Sequence, residues 1–173
     1  MGAGDYMDAR PVLSLLARTL EENGLEAILI GNAAAALQGA PVTTMDIDFL
    51  FRKTPKNVAK LKAVAKALSA VVMRPYYPAS DLFRVVRDED ALQVDFMGKI
   101  DGVRSFEGLR SRASRMEFDG SVLLVADLAD VVRSKRAAGR ARDRAVLETL
   151  EKTLREKTKN SEAAKAKRPA ARK

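Results

Sequence analysis

Between Pro11 and Glu22 the apolar positions Val12, Leu15, Leu16 and Leu20 recur three or four residues apart, and Asn23-Gly24 supplies a stop, so this stretch predicts an amphipathic first helix. Leu25 to Ile30 is a short apolar run of strand length, followed by Gly31-Asn32 and an alanine-rich stretch to Gln38 that favours helix. Gly39-Ala40-Pro41 breaks that helix, and the run Thr43 to Phe51 reads as the next strand. Thr54-Pro55 opens a second amphipathic helix with Val58, Leu61, Val64, Ala65 and Leu68 on its buried stripe. Pro75-Tyr76-Tyr77-Pro78 reads as a loop. Leu82–Val86 and Ala91–Met97 then predict a hairpin about the charged turn Arg87-Asp88-Glu89-Asp90. Ser105–Arg112 reads as helix, Met116–Val125 as two short strands about Asp119-Gly120, and 126–138 and 142–156 as two helices parted at Gly139. The pattern is α/β (α+β): a mixed β-sheet with helices packed on it, ending in C-terminal helices.

Two interruptions of this pattern carry chemistry. In Thr43-Thr44-Met45-Asp46-Ile47-Asp48-Phe49-Leu50-Phe51, alternation along a strand puts Asp46 and Asp48 on one face and Met45, Ile47 and Phe49 on the other. Asp95 stands in the same way between Val94 and Phe96, on the face opposite Leu92. Neighbouring carboxylates repel and are costly to remove from water, so a cation is expected to compensate them. Three carboxylates can hold two magnesium ions, with manganese as a substitute, and such a site binds nucleotide phosphates while a hydroxyl attacks phosphorus in line. Gly31-Asn32, a turn after a strand and before a helix, lets backbone amides approach a phosphate. The plainer readings are a solvated strand edge for the aspartate pair, a cross-strand ion pair of Asp95 with Arg84 or Arg87, and a helix-capping role for Asn32.

Composition narrows the chemistry. The 173 residues contain neither cysteine nor histidine, which excludes thiol nucleophiles, imidazole relays and the usual zinc sites. Phosphoryl-type transfer, which depends on positioning and charge neutralisation, survives that exclusion. No apolar run reaches the roughly eighteen residues of a membrane span, and the N-terminus has no signal-peptide pattern, so no membrane association and a cytoplasmic location are expected. The net charge of +8 is uneven: residues 157–173 hold seven Lys/Arg and one acid, which leaves +2 for everything before them. The expectation is one domain over residues 1–156 and a disordered Lys/Ala-rich tail over 157–173, suited either to polyanion binding or to solubility. Tyr76 and Tyr77 read as a loop pair packed on the core, with stacking on a base as the alternative.

Taken together, Gly31-Asn32, Thr44-Met45-Asp46-Ile47-Asp48 and Val94-Asp95-Phe96 resemble the G-[GS], h-D-h-D-h and h-D-h elements of the polymerase-β-type nucleotidyltransferase superfamily. The segment from Leu128 to Asp143 resembles the L-x-D-L-h-x-x-K-x-x-A-G-R-x-x-D stretch of its small stand-alone and abortive-infection-toxin-like (AbiEii-like) members. The resemblance implies a nucleotidyltransferase-like fold and magnesium-dependent transfer of an NMP from an NTP, ATP among them, to a hydroxyl of tRNA or other RNA, protein or a small molecule. It implies that Asp46, Asp48 and Asp95 are the catalytic metal ligands, with Asp95 also helping to activate the hydroxyl. Gly31, Asn32, Thr44, Lys135 and Arg140 would bind nucleotide, and Asp143 would orient Lys135 or Arg140. A toxin neutralised by an antitoxin protein is a specialised form of the same reading. Two positions depart from the pattern: Asn32 replaces serine or glycine, and Val42 stands where many members carry arginine. The alternative function is a degenerate transferase fold that binds nucleotide or RNA without catalysis, and the plainest is an interaction protein whose aspartates form salt bridges.

Overall fold

The computed structural model describes residues 9–43 and 46–167. Among these residues the chain forms six α-helices and seven strands in one mixed sheet. The helix α1 (Arg10–Glu22) has Pro11 in its first turn and buries Leu13, Leu16, Ala17 and Leu20. It leads to β1 (Ala27–Ile30), which is buried along its whole length and runs directly into α2 (Gly31–Leu37). Next come β2 (Ile47–Phe51) and α3 (Pro55–Ala67), where the Thr54 hydroxyl accepts a hydrogen bond from the Asn57 amide. The strands β3 (Val71–Met73), β4 (Phe83–Arg87) and β5 (Leu92–Met97) form an antiparallel run. The chain closes with α4 (Phe106–Arg112), the hairpin β6 (Ser114–Phe118) and β7 (Ser121–Val125), then α5 (Leu128–Ala138) and α6 (Ala141–Ala166).

The strand order is β3-β4-β5-β2-β1-β7-β6. At its centre β2 lies parallel to β5 and antiparallel to β1. One face of this centre is aromatic: Phe49 and Phe96 stack with centroids 5.3 Å apart, and Phe51 meets Phe83 and Phe96 edge-on. Pair residues alternate across a strand, so the neighbouring row, Asp48 beside Asp95, points to the other face.

The elements expected from periodicity are present, with three differences. The aspartate strand begins only at Ile47, so Asp46 precedes it instead of sharing its face with Asp48; Thr44 and Met45 lie outside the described residues. The strand β3 was not expected, because it has only three residues, all apolar, so the sequence shows no apolar/polar alternation there, and it lies at the sheet edge with Val71 and Met73 exposed. The boundary expected at residue 157 falls inside α6, which continues to Ala166. Lys157 explains part of this, since its ammonium donates to the Gln38 side-chain carbonyl at 2.8 Å and so ties α6 to the end of α2. The Ala, Lys and Glu residues that follow are good helix formers.

Gln38 is a junction for this half of the molecule. Its amide nitrogen donates to the Ala34 and Ala126 carbonyls, and its oxygen accepts from the Leu128 amide. The first turn of α5 is thereby fixed to α2. Asp127 caps α5 by accepting from the Ala129 amide, and Gly139, with φ +60°, turns the chain from α5 into α6.

Candidate active site

A single lateral row of the sheet gathers the groups of interest. Ile30 on β1 pairs with Asp48 on β2, Asp48 with Asp95 on β5, Asp95 with Arg84 on β4, and Arg84 with Met73 on β3. Adjacent strands are about 4.8 Å apart, so Asp48 and Asp95 are immediate neighbours on one face. The register therefore brings together two of the three expected aspartates. Asp46, at the mouth of β2, is exposed, and its charge acts on both Asp48 and Arg84.

Gly31 follows Ile30 at one end of this row. Its φ is +67°, a left-handed conformation that favours glycine, and a Cβ there would sit 3.1 Å from Asp48 Oδ2. The absence of a side chain thus keeps open the space above the Asp48 carboxylate. Next to it the Asn32 Oδ1 is buried with no hydrogen-bond partner, an omission worth about 1–3 kcal/mol unless a donor arrives. A nucleotide hydroxyl or the water of a bound cation is such a donor, whereas a bare phosphate oxygen is not. Val42, at the position of the expected arginine, packs against the hydrophobic core.

The electrostatics of the row are unbalanced. Burial first, then the charges of Asp95 and Asp46, push the Asp48 carboxyl up from 3.8 to about 6, against the pull of Lys135 and Arg142. Asp95, which is 9% exposed, is held by Arg84 in a two-pronged ion pair with distances of 2.8 and 2.9 Å. The cross-strand arginine partner considered for Asp95 is thus present, and it occupies both carboxylate oxygens. Among the described residues Asp48 has no equivalent clamp, and its compensation comes from the charges of Lys135 on α5 and Arg142 on α6.

Of these cations Lys135 is held by Asp143, whose side chain is 2% exposed. It accepts from Arg140 at 2.6 Å and from Lys135 at 3.4 Å. Burial pushes its carboxyl up, but the Arg140 hydrogen bond and charge, with help from Lys135, hold it below the ordinary carboxylate range. Asp143 therefore positions Lys135 and Arg140 and stands apart from the carboxylate row. Arg142 was missed from sequence. It neighbours the noted Arg140, and helical periodicity does not reveal which basic side chain has its charge felt at a strand.

Among the described residues no three acidic side chains are grouped closely enough to hold a metal ion as they stand. The donor set nevertheless fits a hard divalent cation. It offers carboxylate oxygens from Asp48 and Asp46, burial and the charges of Asp95 and Asp46 work against the ionised Asp48, and Gly31 leaves room beside Asp48 Oδ2. Asp95 would join on sharing or releasing Arg84.

Comparison with known proteins agrees with this architecture. A family model described as "Nucleotidyl transferase of unknown function (DUF2204)" matches residues 9–170. No curated protein matches the sequence. Among solved structures, an antigenic nucleotidyltransferase-like protein from Paracoccidioides brasiliensis is similar, with TM-score 0.56, 13% identity, and 86% of this chain and 76% of that chain covered. The enzyme ANT(2'')-Ia in complex with adenylyl-2''-tobramycin has TM-score 0.58 and 15% identity over 90% of this chain and 95% of its own. The lincosamide antibiotic adenylyltransferase LnuA, lincomycin-bound, has TM-score 0.58 and 11% identity over 84% and 96%. At these identities the likeness is one of fold. No described helix is long and apolar enough to cross a membrane.

Proposed function

The chain belongs to the nucleotidyl transferase family of unknown function (DUF2204), and from that premise we propose that it transfers an NMP from an NTP to an acceptor hydroxyl at the Asp48–Asp95 row. The observation that carries this reading is the register itself: two carboxylates side by side on parallel strands, one with its carboxyl pushed up to about 6 by burial and like charge. A purely structural ion pair leaves no such deficit. Asp46, Asp48 and Asp95 hold the divalent cations, magnesium or manganese, which when bound neutralise the triphosphate and make the α-phosphorus more electrophilic.

The rest of the work belongs to the chain. Gly31 and Asn32 border the space above Asp48, and Thr44 belongs to the same nucleotide-binding set. Lys135, Arg140 and Arg142 bring positive charge from α5 and α6, and Asp143 keeps the first two in place. The acceptor hydroxyl gives up its proton to a carboxylate of the row as its oxygen bonds to the α-phosphorus. The bond from that phosphorus to the bridging oxygen breaks, and pyrophosphate leaves with the electron pair.

The test is transfer of label from each α-labelled NTP to a pool of RNA, protein and small hydroxyl acceptors. Asp48→Asn and Asp95→Asn are expected to reduce transfer at least about a thousandfold with the fold retained. Activity retained in the double variant would refute the assignment. Growth arrest on expression, lost with Asp46→Asn, would add a toxin role. Metal-independent RNA binding with no NTP affinity would instead identify a non-catalytic binding module.

A further inference from the structure

The nucleotide-facing groups lie at one end of the carboxylate row, around Gly31, Lys135 and Arg142, so an acceptor approaches from the other end, past Asp95 and Arg84. What stands there is the connection between β3 and β4. Because Met73 pairs with Arg84 and Arg84 with Asp95, residues 74–82 begin beside this row on β3 and β4 and leave the sheet at the strand ends opposite Gly31 and Asp46. This connection displays Tyr76 at 75% exposure and Tyr77 at 64%, beside the exposed Met73 on the edge strand. The expected packing of both tyrosines on the core is not found. Tyr76 is held at φ +63°, an unfavourable conformation for a bulky residue that is concentrated at ligand-binding positions. Its phenol is near enough to act electrostatically on Arg84. Arg74 places its guanidinium 4.5 Å from the Tyr77 centroid and 4.2 Å from the Phe83 centroid, which anchors the outer ring to the sheet.

The charge around this platform is positive. Asp81 is paired with Lys53 and, at 3.9 Å, with Arg74, and also feels Lys99. With Arg84, four cations therefore stand against Asp81 and Asp95, with the charge of Asp46 also felt at Arg84. An amino-sugar acceptor, itself polycationic, would need a rim of carboxylates, and this rim has the opposite sign. Exposed rings flanked by guanidinium groups match a ligand with planar bases and a phosphate backbone.

Resting on the transferase reading above, we infer that Tyr76 and Tyr77, with Arg74 and Arg84, form the acceptor subsite, and that its occupant is the 3' end of a single-stranded RNA. The terminal bases stack on the tyrosines, the backbone meets the arginines, and the terminal ribose presents its hydroxyl to Asp95. The transfer forms the ribose oxygen–phosphorus bond and releases pyrophosphate, with no further co-reactant.

The experiment measures binding of a 5'-labelled single-stranded RNA by fluorescence anisotropy, NTP affinity by calorimetry, and acceptor KM and kcat. It uses wild type, Tyr76→Phe and the Tyr76→Ala/Tyr77→Ala double variant, with thermal unfolding as a check of folding. Loss of stacking is expected to weaken RNA binding about tenfold or more and to raise acceptor KM in the double variant. NTP affinity should stay within about twofold, and Tyr76→Phe, which keeps the ring, should retain RNA binding. RNA binding and KM unmoved in the folded double variant overturn the subsite, as does transfer to an amino sugar in preference to RNA. Tyrosine-dependent RNA binding in a protein that transfers no label supports the platform and overturns the transferase reading instead.

Discussion

The strands β2 and β5 have two faces made from alternate residues of the same segments, and the faces do opposite things. Phe49, Phe51 and Phe96 are fully buried and pack ring against ring, stacked or edge-on, so their contacts persist without any ligand. One residue along, Asp48 and Asp95 place two acids in adjacent register positions, where burial and like charge work against them. The chain binds its sheet together on one face and leaves the other face short of positive charge. A site that must take up a cation and a triphosphate gains from such a deficit, because the ligands relieve repulsion already present in the fold.

The largest way to break the contrast is on the aromatic face. Phe96→Ala is expected to destabilise the protein by about 3–5 kcal/mol, from lost burial and the cavity left between Phe49 and Phe51, measured by denaturant unfolding. On the carboxylate face the sign reverses. The Asp48 carboxyl holds its proton more tightly folded, at about 6, than unfolded, near 3.8, so between these pH values stability falls as pH rises. The deficit is complete above about 6 and absent below about 4, with a ceiling of about 3 kcal/mol. Asp48→Asn should therefore stabilise the ligand-free protein by about 1–3 kcal/mol at pH 8, a rise of several degrees in Tm, while gaining little at pH 4. An unchanged or lowered Tm at pH 8 would show that Asp48 is already compensated. A smaller effect is expected from Gly31→Ala. Strain at φ +67° and crowding of Asp48 Oδ2 should cost about 1–2 kcal/mol in thermal unfolding and weaken nucleotide binding as well.

Much of this contrast is legible in the sequence, because a period of two makes Phe49 and Asp48 opposite in orientation whatever the tertiary structure. The isolated acids in apolar strands and the Gly31 turn follow from such local patterns, while the link from Asp143 to Lys135 or Arg140 comes only from the family resemblance of the segment Leu128 to Asp143. Other features depend on contacts between distant segments. The pairing of Arg84 with Asp95 depends on hairpin register: Arg87, expected in the turn, ends β4 opposite Leu92, the four residues 88–91 close the turn so that 84 and 95 face each other, and a slip of one would have offered Asp95 a different partner. Asp46 falls outside β2 because ladder pairing, not residue type, decides where a strand begins. The influence of the Arg142 charge on Asp48 depends on how α6 sits against the sheet. The exposure of Tyr76 and Tyr77 reflects a loop at the sheet edge with nothing packed over it. Aromatic composition alone suggested the reverse.

The central claim is that the carboxylate row becomes a cation site when a nucleotide is present. Thermal unfolding of wild type and Asp48→Asn at pH 7.5, with NTP, with magnesium and with both, tests it directly. A stabilisation of wild type by the two together, well beyond the sum of their separate effects and absent in Asp48→Asn, is the predicted result. Equal stabilisation of both proteins by NTP alone, with no added effect of magnesium, would contradict it.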